Sequence, residues 1–216
     1  MKNVLESLRA EYAKSHPSGD ITFNFGGSGA LEFQIENGAP VDLFISASTK
    51  YVDALERKKM ILAGSRTTVA TNQLVIIAPE KNSGIHSPND LLNRSIRRVA
   101  VGDPKSVPAG SYAAEALKNL RLFDRLASKF IYGNDVRQVL TYVETSNADA
   151  GVVYTTDALE SKNVRIAVQL PDSLHDPIMY PAVIVAASKN QAEAKAFLEF
   201  LSSDSARAIF SRFGFR

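Results

Sequence analysis

The sequence predicts an α/β protein, on three observations. Short apolar runs suited to buried strands alternate with stretches whose apolar residues recur at helical spacing. Several of the strand runs end in turns of small residues that lead directly into a helix. At 216 residues with 45% hydrophobic content, the chain is long enough to bury a substantial core, as one domain or as two lobes of about 100 residues.

Taken in order, Val4, Leu5, Leu8 and Tyr12 stand at helical spacing, and His16-Pro17 ends that segment. Ile21-Thr22-Phe23-Asn24-Phe25 alternates as a strand, Gly26-Gly27-Ser28-Gly29 turns, and a helix carrying Leu31 and Ile35 stops at Gly38. The apolar run 41–47 suits a buried parallel strand and is followed by a helix over 50–58. A strand over 72–78 precedes looser sequence at 81–89, where a lobe boundary is expected. Then come a strand over 99–101 turning at Gly102-Asp103-Pro104, a helix over 111–120, and a helix over 135–145 with Val136, Val139, Leu140 and Val143 on one face. Gly151-Val152-Val153-Tyr154 is a buried strand, 164–168 another, and 182–186 a long β run that returns the chain to the first lobe. The end, 191–213, is a helix or helix pair with Ala194, Phe197, Leu198 and Leu201 apolar, closing on Gly214.

Composition removes several functions. Lys and Arg total 25 against 23 Asp and Glu, and the basic residues are scattered rather than gathered into a stripe with interleaved aromatics, so nucleic acid is not an expected partner. The absence of cysteine excludes disulfides, thiolate metal sites and cysteine nucleophiles, and leaves the compartment open. No run of 18 apolar residues occurs, and Met1-Lys2-Asn3-Val4-Leu5-Glu6 is amphipathic, unlike a signal peptide. His16, His86 and His175 fall in expected loops without metal-ligand spacing and read as surface histidines. Ser28 lacks the Gly-x-Ser-x-Gly elbow of a hydrolase because position 30 is Ala, and Gly26-Gly27-Ser28-Gly29 lacks the Lys-Ser/Thr of a nucleotide-binding loop. The expectation is no catalytic residue, no enzyme, no cofactor and no bound free cation.

Three places share one design, in which a strand ends, small residues turn, and a helix begins: Gly27-Ser28-Gly29, Pro108-Ala109-Gly110-Ser111 and Asn134-Asp135-Val136. A helix N-terminus leaves backbone N–H groups unpaired and carries about half a positive charge, so several aimed at one point make an anion site. Tyr154 ends its strand ahead of Thr155-Thr156-Asp157, so its hydroxyl could reach the mouth of a cleft, although taken alone the position favours a core aromatic.

Six blocks bring these features together. Phe25-Gly-Gly-Ser-Gly-Ala-Leu31, the stretches 38–47 and 101–110, Asp135-Val-Arg137, the stretch 150–158 and Ile209-Phe-Ser-Arg-Phe-Gly-Phe215 stand in the order that resembles the molybdate-binding (ModA) family of ABC transporters, and the match covers essentially the whole chain. The resemblance implies a class II periplasmic-binding-protein fold: two α/β lobes, each a mixed, mostly parallel sheet flanked by helices, with residues 1–77 and 174–216 in the first lobe and 78–173 in the second. It implies that molybdate or tungstate sits in the interlobe cleft, held without a cationic side chain by Ser28 (hydroxyl and N–H), Ala109 (N–H), Val136 (N–H) and Tyr154 (hydroxyl). It further implies a monomer in the periplasm or on the outer face of the membrane that delivers the oxyanion to ABC permease subunits. The alternative on the same fold is an intracellular oxyanion-sensing effector domain, for which the sequence offers no helix-turn-helix. The family opens with a strand and an Ala-Ala-Ser-Leu-like turn whose serine is a fifth arm. Lys2-Asn3-Val4-Leu5 resembles the helix after that turn, so the expected chain lacks both the first strand and a signal segment.

Overall fold

A computed structural model describes residues 1–17, 19–81 and 84–216; within the loose stretch 81–89, Asn82 and Ser83 lie outside the described residues. Contacts divide the chain into two compact units, Met1–Thr71 with Met179–Arg216, and Asn72–Ile178. The first unit holds α1 (Lys2–Tyr12), α2 (Ser28–Glu36), β1 (Leu43–Ile45), α3 (Thr49–Arg57) and β2 (Thr67–Thr71). The second follows with β3 (Leu74–Pro79), β4 (Val99–Gly102), α4 (Pro108–Asn119), α5 (Phe123–Leu126), β5 (Phe130–Gly133), α6 (Val136–Glu144), β6 (Ala150–Tyr154), α7 (Thr155–Leu159) and β7 (Val164–Gln169). The chain returns to the first unit with β8 (Met179–Ile184), α8 (Gln191–Leu201) and α9 (Asp204–Arg212). These junctions fall at 71/72 and 178/179, against expected boundaries after 77 and 173, because the whole of β3 pairs with β6 and β7 inside the second unit and the chain rejoins the first unit's sheet only with β8.

The first unit is built on the sheet order β1-β8-β2, with both ladders antiparallel. One core forms where Phe44 and Val183 of the sheet meet Val52 and Leu55 of α3 and Ile35 of α2. The α1 helix buries Val4, Leu5, Leu8 and Tyr12, the residues its spacing assigns to one face, and Tyr12 meets Phe197 edge-on at 5.1 Å. Gly38 closes α2 at φ 85°, a left-handed conformation that glycine adopts without strain.

The segment 21–25, expected as a strand, is not one. Among the described residues its backbone groups enter no ladder, and β1 has β8 as its one strand neighbour. Alternating side chains make a strand only where a neighbouring backbone supplies partners for the N–H and C=O groups. Here the Ile21 carbonyl accepts from the Arg9 guanidinium instead, at 3.2 Å.

The second unit carries the order β5-β4-β6-β3-β7, in which β4 pairs parallel with β5 and β6 while β3 pairs antiparallel with β6 and β7. The second unit's sheet is mixed as expected, whereas the first unit's is wholly antiparallel, and mostly parallel sheets are not found: parallel pairing is confined to β5-β4-β6, and β1, expected as a parallel strand, runs antiparallel to β8. Helical connections return β4, β5 and β6 to the same end of the sheet, whereas β3 and β8, which border the two junctions, run against their neighbours. Val139, Leu140 and Val143 of α6 pack on Val75, Ile77 and Val153.

His175 also corrects the sequence reading. It is buried, with its ring 5.7 Å from that of Tyr112 and Nδ1 2.8 Å from the Asp176 carbonyl, while His16 and His86 are exposed as expected.

Candidate functional site

Parallel pairing decides which predicted residues the second unit brings together. Because β5, β4 and β6 are neighbours running the same way, their C-terminal ends lie side by side at one end of the sheet. Ala109 follows β4, Val136 follows β5, and Tyr154 is the last residue of β6. Open α/β sheets bind ligands at this end.

Each of these residues has a local reason for its position. The α4 helix begins with Pro108 at its first position, where a missing N–H costs nothing, and its Val107 carbonyl accepts from Gly110 and Ser111. Ala109, 1% exposed, is left with an N–H that no described residue accepts. The helix start lies hard against the end of β4: a Cβ on Gly110 would stand 2.0 Å from the Gly102 oxygen, so only glycine permits this approach. At α6, Asp135 caps the helix by accepting from the Gln138 N–H at 2.8 Å, and the Gln138 side-chain oxygen accepts from the Asn134 N–H at 2.7 Å. That reciprocal cap leaves the Val136 N–H at the first helical position uncommitted.

Tyr154 caps α7 and is 2% exposed, its hydroxyl oxygen enclosed. Its backbone is held from two sides. Its N–H donates to the carboxylate of Asp157, and the next residue, Thr155, donates its N–H to the Gln73 carbonyl at 2.9 Å. Asn72 donates through Nδ2 to the buried Thr156 hydroxyl at 2.9 Å. Burial pushes the Asp157 carboxyl up to about 6, the charge of Glu160 adds to this, and Arg137 and the Tyr154 N–H are among the groups that oppose it.

Ser28 belongs to the first unit. It is the first residue of α2, 6% exposed, and its hydroxyl oxygen accepts from the Ala47 N–H at 3.1 Å. Since that bond uses a lone pair, the hydroxyl hydrogen stays available to a ligand. The turn after β1 is itself ordered by the fully buried Ser46, which donates to the Ser48 carbonyl at 2.7 Å and accepts from the Ser48 N–H at 3.1 Å. Sequence reasoning missed Ser46, Ser48, Asn72 and Asp157. Ser46-Ala47-Ser48 repeats the strand, small-residue turn and helix design and was findable; the bonds of Asn72 and Asp157 depend on tertiary contact.

In the second unit Ala109 and Val136 present backbone N–H groups at helix starts and Tyr154 a hydroxyl; in the first unit Ser28 presents a hydroxyl at the start of α2. Arg137, one residue past Val136, places its guanidinium 2.6 Å from the Glu160 carboxylate. Among the described residues no cluster of His, Asp and Glu is placed to hold a metal ion, and no helix is long and apolar enough to cross a membrane.

A family model described as bacterial extracellular solute-binding protein matches residues 1–216. The chain belongs to that family. The molybdate-binding protein ModA of Escherichia coli is 39% identical over 222 residues, covering 100% of this chain and 85% of the relative. ModA of Haemophilus influenzae is 37% identical over 220 residues, covering 100% and 86%. The solved periplasmic molybdate-binding protein of Azotobacter vinelandii superposes with a TM-score of 0.89 at 27% identity, covering 99% of this chain and 94% of that one. The fold of this solute-binding protein is therefore the two-lobed α/β fold of periplasmic binding proteins.

Proposed function

We propose that this protein captures molybdate, or the isosteric tungstate, and delivers it to the permease of an ABC transporter. The observation that carries the reading is the alignment of the Ala109 N–H, the Val136 N–H and Tyr154 at the ends of three adjacent parallel strands. The oxyanion's donors are these three residues of the second unit together with the Ser28 hydroxyl and N–H of the first. Helix starts and hydroxyls form charge-assisted bonds to a dianion while avoiding the desolvation of a buried fixed cation. The names of the relatives support the same solute.

A set of donors also selects. Phosphate near neutral pH keeps a proton that needs an acceptor, and sulfate is smaller, so its oxygens fall short of donors spaced for molybdate. The protein acts as a monomer outside the cytoplasm, in the periplasm or tethered to the membrane, and does no chemistry on its solute. Calorimetric titration with the four oxyanions tests this: molybdate and tungstate bind with similar affinity, sulfate and phosphate much more weakly. Tight binding of phosphate with no response to molybdate overturns the assignment.

A further inference from the structure

The helix that begins at Tyr154 carries two acids at one-turn spacing. Asp157 lies in its first turn, 6% exposed, and Glu160 caps its end with a side chain 17% exposed. Residues three apart share one face of a helix. The Asp157 carboxylate sits at the strand end that presents Tyr154, whose N–H it accepts, and Glu160 follows one turn later where α7 meets α6, the helix that Val136 begins. For a site meant to take a dianion this is an adverse arrangement, since low-dielectric surroundings carry the repulsion over several ångströms. Arg137 meets it. Its guanidinium lies 2.6 Å from Glu160, and its charge is felt at Asp157 as well, where it opposes the effect of burial.

We propose that Arg137 sets oxyanion affinity without touching the oxyanion, by cancelling one of the two negative charges that α7 holds near the Val136 and Tyr154 donors. The inference rests on the proposed oxyanion site. A purely mechanical clamp between α6 and α7 makes a different forecast, and the sign of one variant separates them. Under charge balance, Arg137→Gln exposes the site to two carboxylates and weakens molybdate binding by about tenfold. Glu160→Gln leaves the arginine with one acid to offset and tightens binding, and Arg137→Gln with Glu160→Gln returns close to the parent value. Under a clamp, all three variants lose the same contact and weaken binding alike.

The experiment is calorimetric titration of the full chain with molybdate, for the parent, these three variants and Tyr154→Phe, at low and at high salt. The expected result is a loss, a gain and a restoration in that order, with the loss larger at low salt. Glu160→Gln binding more weakly than the parent, or a double variant as weak as Arg137→Gln, overturns the inference. If Tyr154→Phe weakens binding and the charge series does not move it, the inference falls alone; if Tyr154→Phe leaves binding unchanged, the site assignment falls with it.

Discussion

The Ser28 hydroxyl oxygen accepts the Ala47 N–H at 3.1 Å, joining the start of α2 to the turn that follows β1 across 19 residues of sequence. One hydroxyl thus orders the scaffold through its oxygen and offers its hydrogen to a ligand. Replacing Ser28 with Ala removes both roles. Loss of a donor to a charged oxygen weakens molybdate binding by about 1.5–3 kcal/mol, which is about ten- to a hundredfold in Kd. The half-buried Ala47 N–H loses its partner at a cost of about 1 kcal/mol, visible as a lower melting temperature. A variant that melts lower and binds like the parent removes Ser28 from the ligand's donors.

Val136 offers a test in which the donor is deleted and the helix is kept. Proline is favoured at the first position of a helix, and the residue before it must be extended, as Asp135 already is at φ −156° and ψ 171°. Val136→Pro therefore melts near the parent temperature while weakening molybdate binding about tenfold or more. Val136→Ala keeps the N–H and binds nearly as the parent does. Equal binding by both variants shows that this N–H is not an arm.

Gly110 and Gly38 separate close approach from backbone conformation. Gly110→Ala drives a methyl group into the Gly102 carbonyl and destabilises the second unit by about 3 kcal/mol, displacing the Ala109 arm as α4 moves away. Gly38→Ala meets no atom within 4 Å, so its left-handed φ costs only about 1 kcal/mol. Denaturant unfolding of the two variants measures the difference; comparable losses contradict it.

Glu32 gives stability a dependence on pH. Burial first, then the hydrogen bond and charge of neighbouring Glu36, push its carboxyl up to about 7. Glu36 itself is held below its usual value by Lys58. A carboxyl raised above its unfolded value of 4.5 contributes stability below that value and loses it as pH climbs through about 7. Glu32→Gln thus gains melting temperature relative to the parent as pH rises from 4.5 to 8, with the gain reduced by solvent screening at this partly exposed position. A difference constant across that range contradicts the assignment.

Several of the elements that carry the second unit's proposed donors were legible because their signals are local. The helical spacing from 135 marks α6, the apolar run ending at Tyr154 marks β6, and the helix expected over 111–120 is α4, which starts three residues earlier at Pro108. What depends on distant chain was not legible. The alternation at 21–25 has the composition of a strand, but among the described residues it pairs with no ladder. The directions of β1 and β3 follow from partners far along the chain, β8 at 43↔184 and β6 at 74↔154. The short edge strand β5 and the Thr-rich β2 carry too little apolar pattern to stand out. His175 shows the same limit, since only its packing against Tyr112 reveals that a loop histidine is buried.

The measurement that bears most directly on the central claim is calorimetric titration of the parent and Tyr154→Phe with molybdate. The substitution keeps the ring that packs at the end of β6 and removes the enclosed hydroxyl. The expected result is an unchanged stoichiometry of one oxyanion per chain with Kd raised about ten- to a hundredfold, the loss of one hydrogen bond to a charged acceptor. Parent and variant binding molybdate with the same Kd, or a parent that gives no heat with molybdate, contradicts the account.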